Sequence, residues 1–539
     1  MSTTRQAINL LLRAVLKDLS KDGFFDLAAI GNAIGRDSVG VCKDRAHGDY
    51  TSNAAMQLAR VAKKNPMEIA ERIKGVLETI PKSKKMFSSV EVAAPGFINF
   101  FLSPEYLRSE TVKLLKLGED YGKVAIGKNK PANVEFVSAN PSGQLHVGNG
   151  RSAFYGDALG NVLQKAGYKV EREYYINDAK VSKQIQTLGA TALGRGEAYL
   201  SPYLKEKIAA LQPKLAKIHS ETDGGYFLAQ EVLKDLKKFI TKEMGIKFDH
   251  WMSEESLYKQ RLVMDTYDLL KKKGLVFEKE NAYWLDMSRF NQKDEVLLRT
   301  NGSPTYFLSD IAYHRDKIKR GYKKIIDIWG ADHQGHVPRM KAVMDILGYK
   351  GEFEVLICQI VTIKGGKISK REGNIISVNW LIDEVGVDAA RFFYLQSGLQ
   401  SQMEFDVALA KKRSSESPVF YVQYASARIN SILRKSKVKK IDFTPAMFDL
   451  LEHPSEMELA KELLRLPEIV EDAAGDYQLQ RLCLYAVNLA TSFHKFYRDC
   501  KVISKDAELT RARLALIYAT KVALVNTLSI LGISAPEKM

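Results

Sequence analysis

The sequence predicts a multidomain protein in which an α/β domain with a parallel sheet lies between a small α+β amino-terminal domain and an all-α carboxy-terminal bundle. Three features predict this architecture. The length of 539 residues favours about three domains of roughly 100–200 residues each. A strand, helix, strand pattern occupies 133–176, and such a unit implies parallel strands joined by a crossover helix. After Val407, strand-type patterns are nearly absent.

The amino-terminal domain is predicted from a helix followed by mixed elements. Apolar residues recur at helical spacing near the start of the chain, namely Ile8, Leu11, Leu12, Val15, Leu16 and Leu19. Two helical patterns separated at Asn65 and Pro66 follow, and then an alternating strand pair broken at Pro95 and Gly96. The polar stretch 118–130 is typical of a linker. We therefore predict this domain at 1–117.

The chain is organised around NVEFVSANPSGQLHVGN, residues 133–149. An alternating strand leads into a loop of turn-forming residues, and a helical pattern starts at His146. In a parallel sheet, ligands sit beyond the carboxyl ends of the strands, and the free N–H groups of a helix start attract phosphate. His146 supplies a donor for a phosphoryl oxygen, and Gly148 lets the backbone approach a nucleotide. An ordinary turn with a surface histidine is the alternative.

The second half of the predicted sheet follows a mainly helical, lysine-rich insertion at about 185–275. An extended segment at 283–298 and the stretch SPTYFLSDIAYHRDK at 303–317 come next. Apolar strands at 323–329 and 353–360 then lead to GADHQGH and to IKGGKISKREGN. The residues Asp332, His333 and His336 could suggest a metal site, but no fourth ligand is evident, so no protein-bound metal is predicted.

Composition indicates the partners and the compartment. The formal net charge of +16 and a pI near 9.3 favour a polyanionic partner. The four cysteines are scattered without metal-type spacing, which is typical of reduced thiols. Neither a signal pattern nor an apolar run of membrane-spanning length is evident, so we expect a cytoplasmic protein without a membrane partner.

The carboxy-terminal domain, predicted at 399–539, begins with a basic cluster followed by tyrosines on a helical pattern. The residues that could contact RNA are Tyr421, Gln423, Tyr424 and Arg428. Basic residues interleaved with aromatic rings can bind a nucleic-acid backbone and stack unpaired bases. Most apolar residues of this region are expected to form the bundle core.

In order and spacing, these motifs resemble those of the class I aminoacyl-tRNA synthetases, and most closely the arginyl-tRNA synthetases. HVGN resembles the first signature HIGH, with Asn149 in place of the second histidine, and KISKR at 367–371 resembles the second signature KMSKS. The segments 47–73 and 90–103 resemble the additional amino-terminal domain of that family. SPVFYVQYASARI and the closing LGISAPEKM resemble its anticodon-binding domain. The resemblance implies a Rossmann-like catalytic domain at 118–398 and covers nearly the whole chain.

The resemblance also implies an activity and its partners. ATP and L-arginine would react to arginyl-adenylate and pyrophosphate, and the arginyl group would pass to the 3′-terminal adenosine of tRNA(Arg). Mg²⁺ would accompany ATP through its phosphates. Because positioning and charge stabilisation carry this chemistry, no covalent enzyme intermediate is expected. A monomer is the usual state in the family.

Individual residues acquire roles from the same resemblance. The catalytic residues would be His146, Lys367 and Lys370. The ATP contacts would be His146, Gly148, Asn149, His333, Lys367, Ser369 and Lys370. The arginine pocket would contain Glu135, Ser138, Asn140, Tyr306, Asp310 and Gln334. The chemistry of Asp310 makes sense independently, because a carboxylate offers two acceptors to the guanidinium fork, although an N-cap or surface aspartate is the alternative.

Two other classes of function stay open at this point. One is a related enzyme, either a synthetase for another amino acid or a nucleotidylyltransferase, although the latter would not need long tRNA-binding ends. The other is an RNA-binding protein derived from a synthetase that has lost catalysis, an alternative that Asn149 keeps in view.

Overall fold

The computed structural model describes residues 3–24, 35, 38–365, 376–436, 443 and 445–539. Its amino-terminal part has the elements α1 (Thr4–Lys21), β1 (Val39–Val41), β2 (Tyr50–Ser52), α2 (Ala54–Ala62), α3 (Pro66–Leu77), α4 (Pro81–Met86), β3 (Phe87–Ala93), β4 (Phe97–Leu102) and α5 (Pro104–Leu117). The four strands form an antiparallel sheet in the order β1-β2-β4-β3. Asn65 caps α3 and Pro66 begins it, which explains the predicted break between the two helical patterns.

The central domain is built on five parallel strands. They are β5 (Pro131–Glu135), β6 (Lys169–Ile176), β7 (His250–Ser253), β11 (Lys324–Gly330) and β12 (Glu352–Cys358), in the spatial order β12-β11-β5-β6-β7. The helix α6 (Val147–Lys165) connects β5 to β6. The strand order reverses between β5 and β11, and ligands of such sheets bind at this switch point beyond the carboxyl ends. The predicted parallel sheet is confirmed.

The insertion after β6 contains α7 (Lys183–Ala192), α8 (Pro202–Leu215) and α9 (Glu221–Lys242), followed by β7, α10 (Glu254–Lys259) and α11 (Leu262–Lys272). It is mainly helical, as predicted, but β7 joins the central sheet as an edge strand that sequence reasoning did not identify. Four residues inside a helical region are too few to establish a strand periodicity.

A small antiparallel sheet separates the two halves of the central domain. Its strands β8 (Val276–Lys279), β9 (Ala282–Leu285) and β10 (Glu295–Leu298) lie in the order β10-β9-β8, and α12 (Tyr306–Lys319) follows them. After β11, a short 3₁₀ segment (Ala331–His336) leads into α13 (Val337–Ile346). The short strand β13 (Val361–Ile363) follows β12.

The last part of the chain is helical apart from β14. It comprises α14 (Val378–Val385), α15 (Val387–Leu395), β14 (Met403–Phe405), α16 (Val407–Ala410), α17 (Pro418–Lys435), α18 (Pro454–Leu463), α19 (Leu466–Asp476), α20 (Gln480–Asp499) and α21 (Ala507–Leu531). Among the described helices, α21 has the length and apolar composition of a membrane span, although the sequence analysis found no apolar run of that length. Since 72% of an apolar 18-residue window of α21 is buried inside the protein, α21 is a core helix of the bundle.

Candidate active site

The first signature forms the start of α6, directly beyond the carboxyl end of β5. His146 is the N-cap, and its Nδ1 accepts the Asn149 N–H at 3.3 Å while Asn149 Oδ1 accepts the His146 N–H at 3.1 Å. This reciprocal pair is a capping box. Asn149 therefore has a structural partner in this chain that accounts for an amide at the position.

The same geometry fixes the chemistry of the His146 ring. Because Nδ1 accepts a hydrogen bond, Nε2 carries the proton of the neutral ring and is free to donate. Desolvation by the surrounding protein lowers the pKa of His146, against an opposing effect of Asp332, so the ring is neutral at physiological pH. A Cβ at Gly148 would lie 2.9 Å from His146 Cε1, so glycine is what lets the ring fold back over the helix start.

The chain on either side of the second signature lies next to the first. Val147 N–H donates to Ile376 O at 3.0 Å, and Val378 N–H donates to Leu145 O at 2.8 Å. On the other side, β13 pairs in parallel with β14, and Lys364 forms a 2.7 Å ion pair with Asp406. The predicted ligands Lys367, Ser369 and Lys370 lie outside the described residues.

A fully buried arginine joins these two regions. The Arg151 guanidinium of α6 donates to the backbone carbonyls of Gln359 (3.2 Å), Gly398 (2.7 Å) and Ser401 (2.7 Å). The first of these follows β12 and the other two precede β14. Arg151 thus ties the signature helix to the segments that precede β13 and β14, a role that no motif had indicated.

A network of buried charges surrounds Lys317 of α12. Lys317 Nζ donates to Glu135 Oε2 at 2.6 Å and to Asp327 Oδ1 at 2.7 Å, and His314 Nε2 lies 2.8 Å from Asp327 Oδ2. Burial alone would lower the pKa of Lys317, but Asp327 and Glu135 raise it above its usual value. The other oxygen of Glu135 accepts the Ser138 hydroxyl at 2.9 Å. Glu135 therefore already has partners within the protein.

The backbone of the loop after β5 is strained at two residues. Val137 and Ser138 have φ of +69° and +39°, which L side chains rarely adopt, least of all β-branched ones. Three bonds hold this turn: Val137 N–H to Ser152 Oγ (3.2 Å), Tyr175 N–H to Ser138 Oγ (3.1 Å) and Asn177 Nδ2 to Ser138 O (3.1 Å). Asn140 is exposed beyond the turn. Strain of this kind is typical of a binding site.

Two carboxyls, Asp310 and Glu254, lie close enough to interact electrostatically. Asp310 lies one turn into α12, and Glu254 begins α10 directly after β7. Burial raises the pKa of Asp310 to about 7 and, with a contribution from Asp310, the pKa of Glu254 to about 8. Neither carboxyl forms an ion pair with a residue that the structure describes, and such carboxyls are suited to a cationic ligand. Sequence reasoning missed Glu254 because the strand before it was not recognised.

Three further predicted site residues, two for arginine and one for ATP, have exposed side chains. Tyr306, four residues before Asp310 on α12, is 53% exposed. His333 and Gln334 are exposed in the 3₁₀ segment beyond β11, the strand next to β5. Within the described part of the chain, no group of three His, Cys, Asp or Glu side chains has the arrangement of a metal site.

The predicted RNA-contacting residues all lie on α17, but their side chains have different surroundings. The Arg428 guanidinium lies over the rings of Tyr424 (4.6 Å) and Tyr497 of α20 (5.1 Å), and the Tyr421 ring packs 4.9 Å from His494. Tyr424 and Tyr497 are 38% and 39% exposed. Gln423 instead donates to Asp388 Oδ2 at 2.8 Å and to Ser534 O at 3.1 Å, so its amide group holds α15 and the carboxy-terminal tail.

Comparisons with known proteins agree with this arrangement. Family models described as "Arginyl tRNA synthetase N terminal domain", "tRNA synthetases class I (R), catalytic domain" and "DALR anticodon binding domain" match residues 6–102, 111–188 and 422–539. Curated arginine–tRNA ligases of Geobacillus kaustophilus and Bacillus licheniformis are each 41% identical. The alignments cover 93% of this chain and 94% of the first relative, and 100% of both chains for the second.

Solved structures give the same result. A putative arginyl-tRNA synthetase from Campylobacter jejuni is 33% identical with a TM-score of 0.73, covering 81% of this chain and 100% of that one. The Thermus thermophilus arginyl-tRNA synthetase is 22% identical and shares the fold with a TM-score of 0.80, over 99% of this chain and 100% of that one.

Proposed function

The chain belongs to the arginyl-tRNA synthetases of class I, and from this membership we propose how its cleft performs the family's reaction. The protein activates L-arginine with ATP to arginyl-adenylate and transfers the arginyl group to the 3′-terminal adenosine of tRNA(Arg). The observation that carries the site proposal is the meeting of two features at one sheet edge. The capped helix start with its neutral histidine follows β5, and Glu254, which interacts electrostatically with Asp310, follows β7. These two carboxyls form the proposed acidic pocket.

The acidic pocket is proposed to bind the guanidinium of arginine. Asp310 and Glu254 would each accept N–H groups, and both would ionise when the cation enters. Tyr306 and Gln334, with Ser138 and Asn140 on the strained loop, would hold the α-amino and carboxylate end. Glu135 would act through Ser138 and Lys317, which orient it, rather than as a free charge.

The start of α6 is proposed to bind ATP. Gly148 and the first turn would admit the nucleotide, and His146 Nε2–H would donate to a phosphoryl oxygen as charge develops on it. The arginine carboxylate would then attack the α-phosphorus in line while pyrophosphate leaves. Asn149 would support His146 through the capping box, and His333 would lie near the adenosine.

The second signature completes this proposal on the strength of its sequence. Lys367, Ser369 and Lys370 would neutralise the leaving pyrophosphate, as the resemblance of KISKR to KMSKS implies. Mg²⁺ would arrive with the ATP phosphates, where it offsets their charge and needs no dedicated protein cage.

Three broader proposals accompany this one. We propose domain boundaries at 1–117, 118–398 and 399–539, with an insertion at about 185–275. Strand β14 (403–405) of the last domain pairs with β13 of the catalytic domain, so these two domains share a two-stranded sheet. We also propose that the protein is cytoplasmic and monomeric. Sedimentation of the purified protein would test the oligomeric state.

ATP–pyrophosphate exchange with each of the twenty amino acids, with and without total tRNA, tests the proposed function. Exchange with arginine alone is the expected result. Exchange with another amino acid would overturn the pocket assignment while keeping the fold. The absence of exchange with every amino acid would contradict the proposed active site.

A further inference from the structure

The hydroxyl of Tyr175 is buried at the edge of the acidic pocket without a hydrogen-bond partner among the described residues. Tyr175 is the penultimate residue of β6, and only 7% of its surface is exposed. Its backbone N–H is satisfied by Ser138 Oγ at 3.1 Å, so the unpartnered group is the side-chain hydroxyl alone. Because an unpaired buried hydroxyl costs folding free energy, its presence calls for a physical reason.

The neighbours of Tyr175 place this hydroxyl near the proposed guanidinium site. Its ring packs 4.4 Å from that of Tyr313, which lies three residues after Asp310 on α12. Strand β7 pairs with β6 beside it, Tyr175 opposite Met252, and leads directly to Glu254. Tyr258 of α10 shares a 2.6 Å hydrogen bond with Ser309, which precedes Asp310. Elements carrying both acids therefore converge on this ring.

The electrostatic surroundings agree with that placement. Burial raises the pKa of Tyr175 well above its usual value, and Glu254, Asp310 and Glu135 add to the effect. The phenol therefore stays protonated at every physiological pH. A neutral hydroxyl has one proton to donate and lone pairs that can accept, whereas carboxylates only accept.

A guanidinium carries five N–H donors in a fixed plane, more than two carboxylates can satisfy along one edge. We propose that the Tyr175 hydroxyl accepts one N–H of the bound arginine guanidinium and so contributes to selection of arginine. Its own proton is then available to a pocket carboxylate. This inference rests on the proposed function and adds a specificity residue that no sequence motif indicated.

Tyr175→Phe tests the proposal because it keeps the ring and its packing on Tyr313 and removes only the hydroxyl. A hydrogen bond to a charged group contributes enough that the dissociation constant for arginine should rise roughly tenfold or more. The KM for ATP should stay unchanged. The melting temperature of the ligand-free variant should equal or exceed that of the wild type, since an unpaired polar group has been removed.

Agmatine identifies the end of the substrate that has lost a contact. It keeps the guanidinium and lacks the carboxylate, so its inhibition constant should rise by the same factor as the arginine constant. Tyr485→Phe is the matched control. That buried phenol donates to Leu463 O at 3.4 Å in the helical bundle, so its loss should lower the melting temperature and leave arginine binding unchanged.

Unchanged arginine binding in Tyr175→Phe would overturn the inference. A lower melting temperature with parallel losses for arginine and ATP would also overturn it, since that pattern marks a structural role. A wild-type protein without arginine-dependent exchange would instead defeat the proposed function itself, and the two failures are therefore distinguishable.

Discussion

At the scale of single residues, the proposed arginine pocket contains two carboxyls, Asp310 and Glu254, whose pKa values are raised by burial. Neither Asp310 nor Glu254 has a basic side chain as its own partner among the contacts described above, whereas Glu135 and Asp327 share Lys317. The paired acids therefore maintain the architecture, and the unpaired ones are available to a cationic substrate.

Asp310→Asn should weaken the use of arginine much more than the binding of ATP. The amide removes the charge that faces the guanidinium, and kcat/KM for arginine should fall roughly 10- to 100-fold, as loss of a charge-assisted hydrogen bond predicts. Pyrophosphate exchange at varied arginine and varied ATP measures the two effects separately. Asp316→Asn on the same helix, where the acid pairs with Arg320 at 3.0 Å, is the control. Equal arginine kinetics in both variants would contradict the assignment.

The raised pKa values of Asp310, about 7, and Glu254, about 8, predict a pH dependence. In the ligand-free protein these carboxyls hold protons more tightly than in the unfolded chain. The stability they contribute is therefore complete below about pH 4 and is lost as pH rises through 7 and 8. Arginine needs the ionised forms, so its binding should strengthen from pH 6 to 8.5 with release of protons.

Calorimetry in buffers of different ionisation enthalpy measures this proton release directly. The Asp310→Asn variant should release fewer protons and show a shallower pH dependence. Arginine affinity that stays constant from pH 6 to 8.5 would mean that both acids are already ionised in the free enzyme, contrary to the expectation.

At the scale of secondary-structure elements, α6 carries the first signature, and α7 and α9 pack tightly against each other in the insertion. The start of α6 is held by the capping box of His146 and Asn149, and its second turn is held by the carbonyl contacts of Arg151. The two insertion helices instead meet backbone to backbone, because glycines face each other where they cross. A Cβ at Gly225 would lie 1.8 Å from Ile185 O.

Gly189→Ala should destabilise the protein by about 3 kcal/mol or more, at the upper end of overpacking costs. Its Cβ would lie 1.6 Å from Glu221 O, so the helices must separate to admit it. Thermal unfolding followed by fluorescence measures the loss. Gly196→Ala, whose Cβ would come no closer than 3.6 Å to a neighbour, is the control and should unfold as the wild type does. A Gly189→Ala protein as stable as this control would show that the crossing is not tight.

At the scale of the whole molecule, contacts distant in sequence join the amino-terminal part and α6 to the helical bundle. Tyr50 OH and the Arg5 backbone N–H both donate to Glu468 Oε1, at 2.9 and 2.8 Å, so the amino-terminal part docks on α19. Asn161 of α6 donates to Ile530 O at 3.0 Å and thereby joins the signature helix to α21. Deleting the helical bundle would remove packing from α6, so point variants are the cleaner test of RNA binding.

Arg428→Ala should raise the KM for tRNA and leave the arginine KM in pyrophosphate exchange nearly unchanged. It removes a cation that lies over two partly exposed tyrosine rings. If Arg428 contacts a phosphate, the salt dependence of tRNA binding should also become shallower by about one unit of slope. Arg511→Ala on α21, which removes the same charge from a residue paired with Glu508 at 3.0 Å, is the control. Identical tRNA kinetics in the two variants would count against a binding role for this cluster.

The sequence by itself determined the order of the main elements and the position of the first signature at the start of a helix. These features are local: apolar periodicity, turn-forming residues and caps are encoded within one or two turns of chain. The strands at 169–176 and 324–330 and the helix that begins after His146 accordingly lie within a residue or two of their predictions.

Only the tertiary structure decided which distant groups meet. Lys317 neutralises Glu135 from 182 positions away, and Gln423 is bound to Asp388 and Ser534. Glu254 enters the pocket only because β7, too short to show a period, pairs with β6. Periodicity reports which face of an element is buried and not what it is buried against. The charge partners that set each pKa in the pocket therefore follow from long-range packing alone.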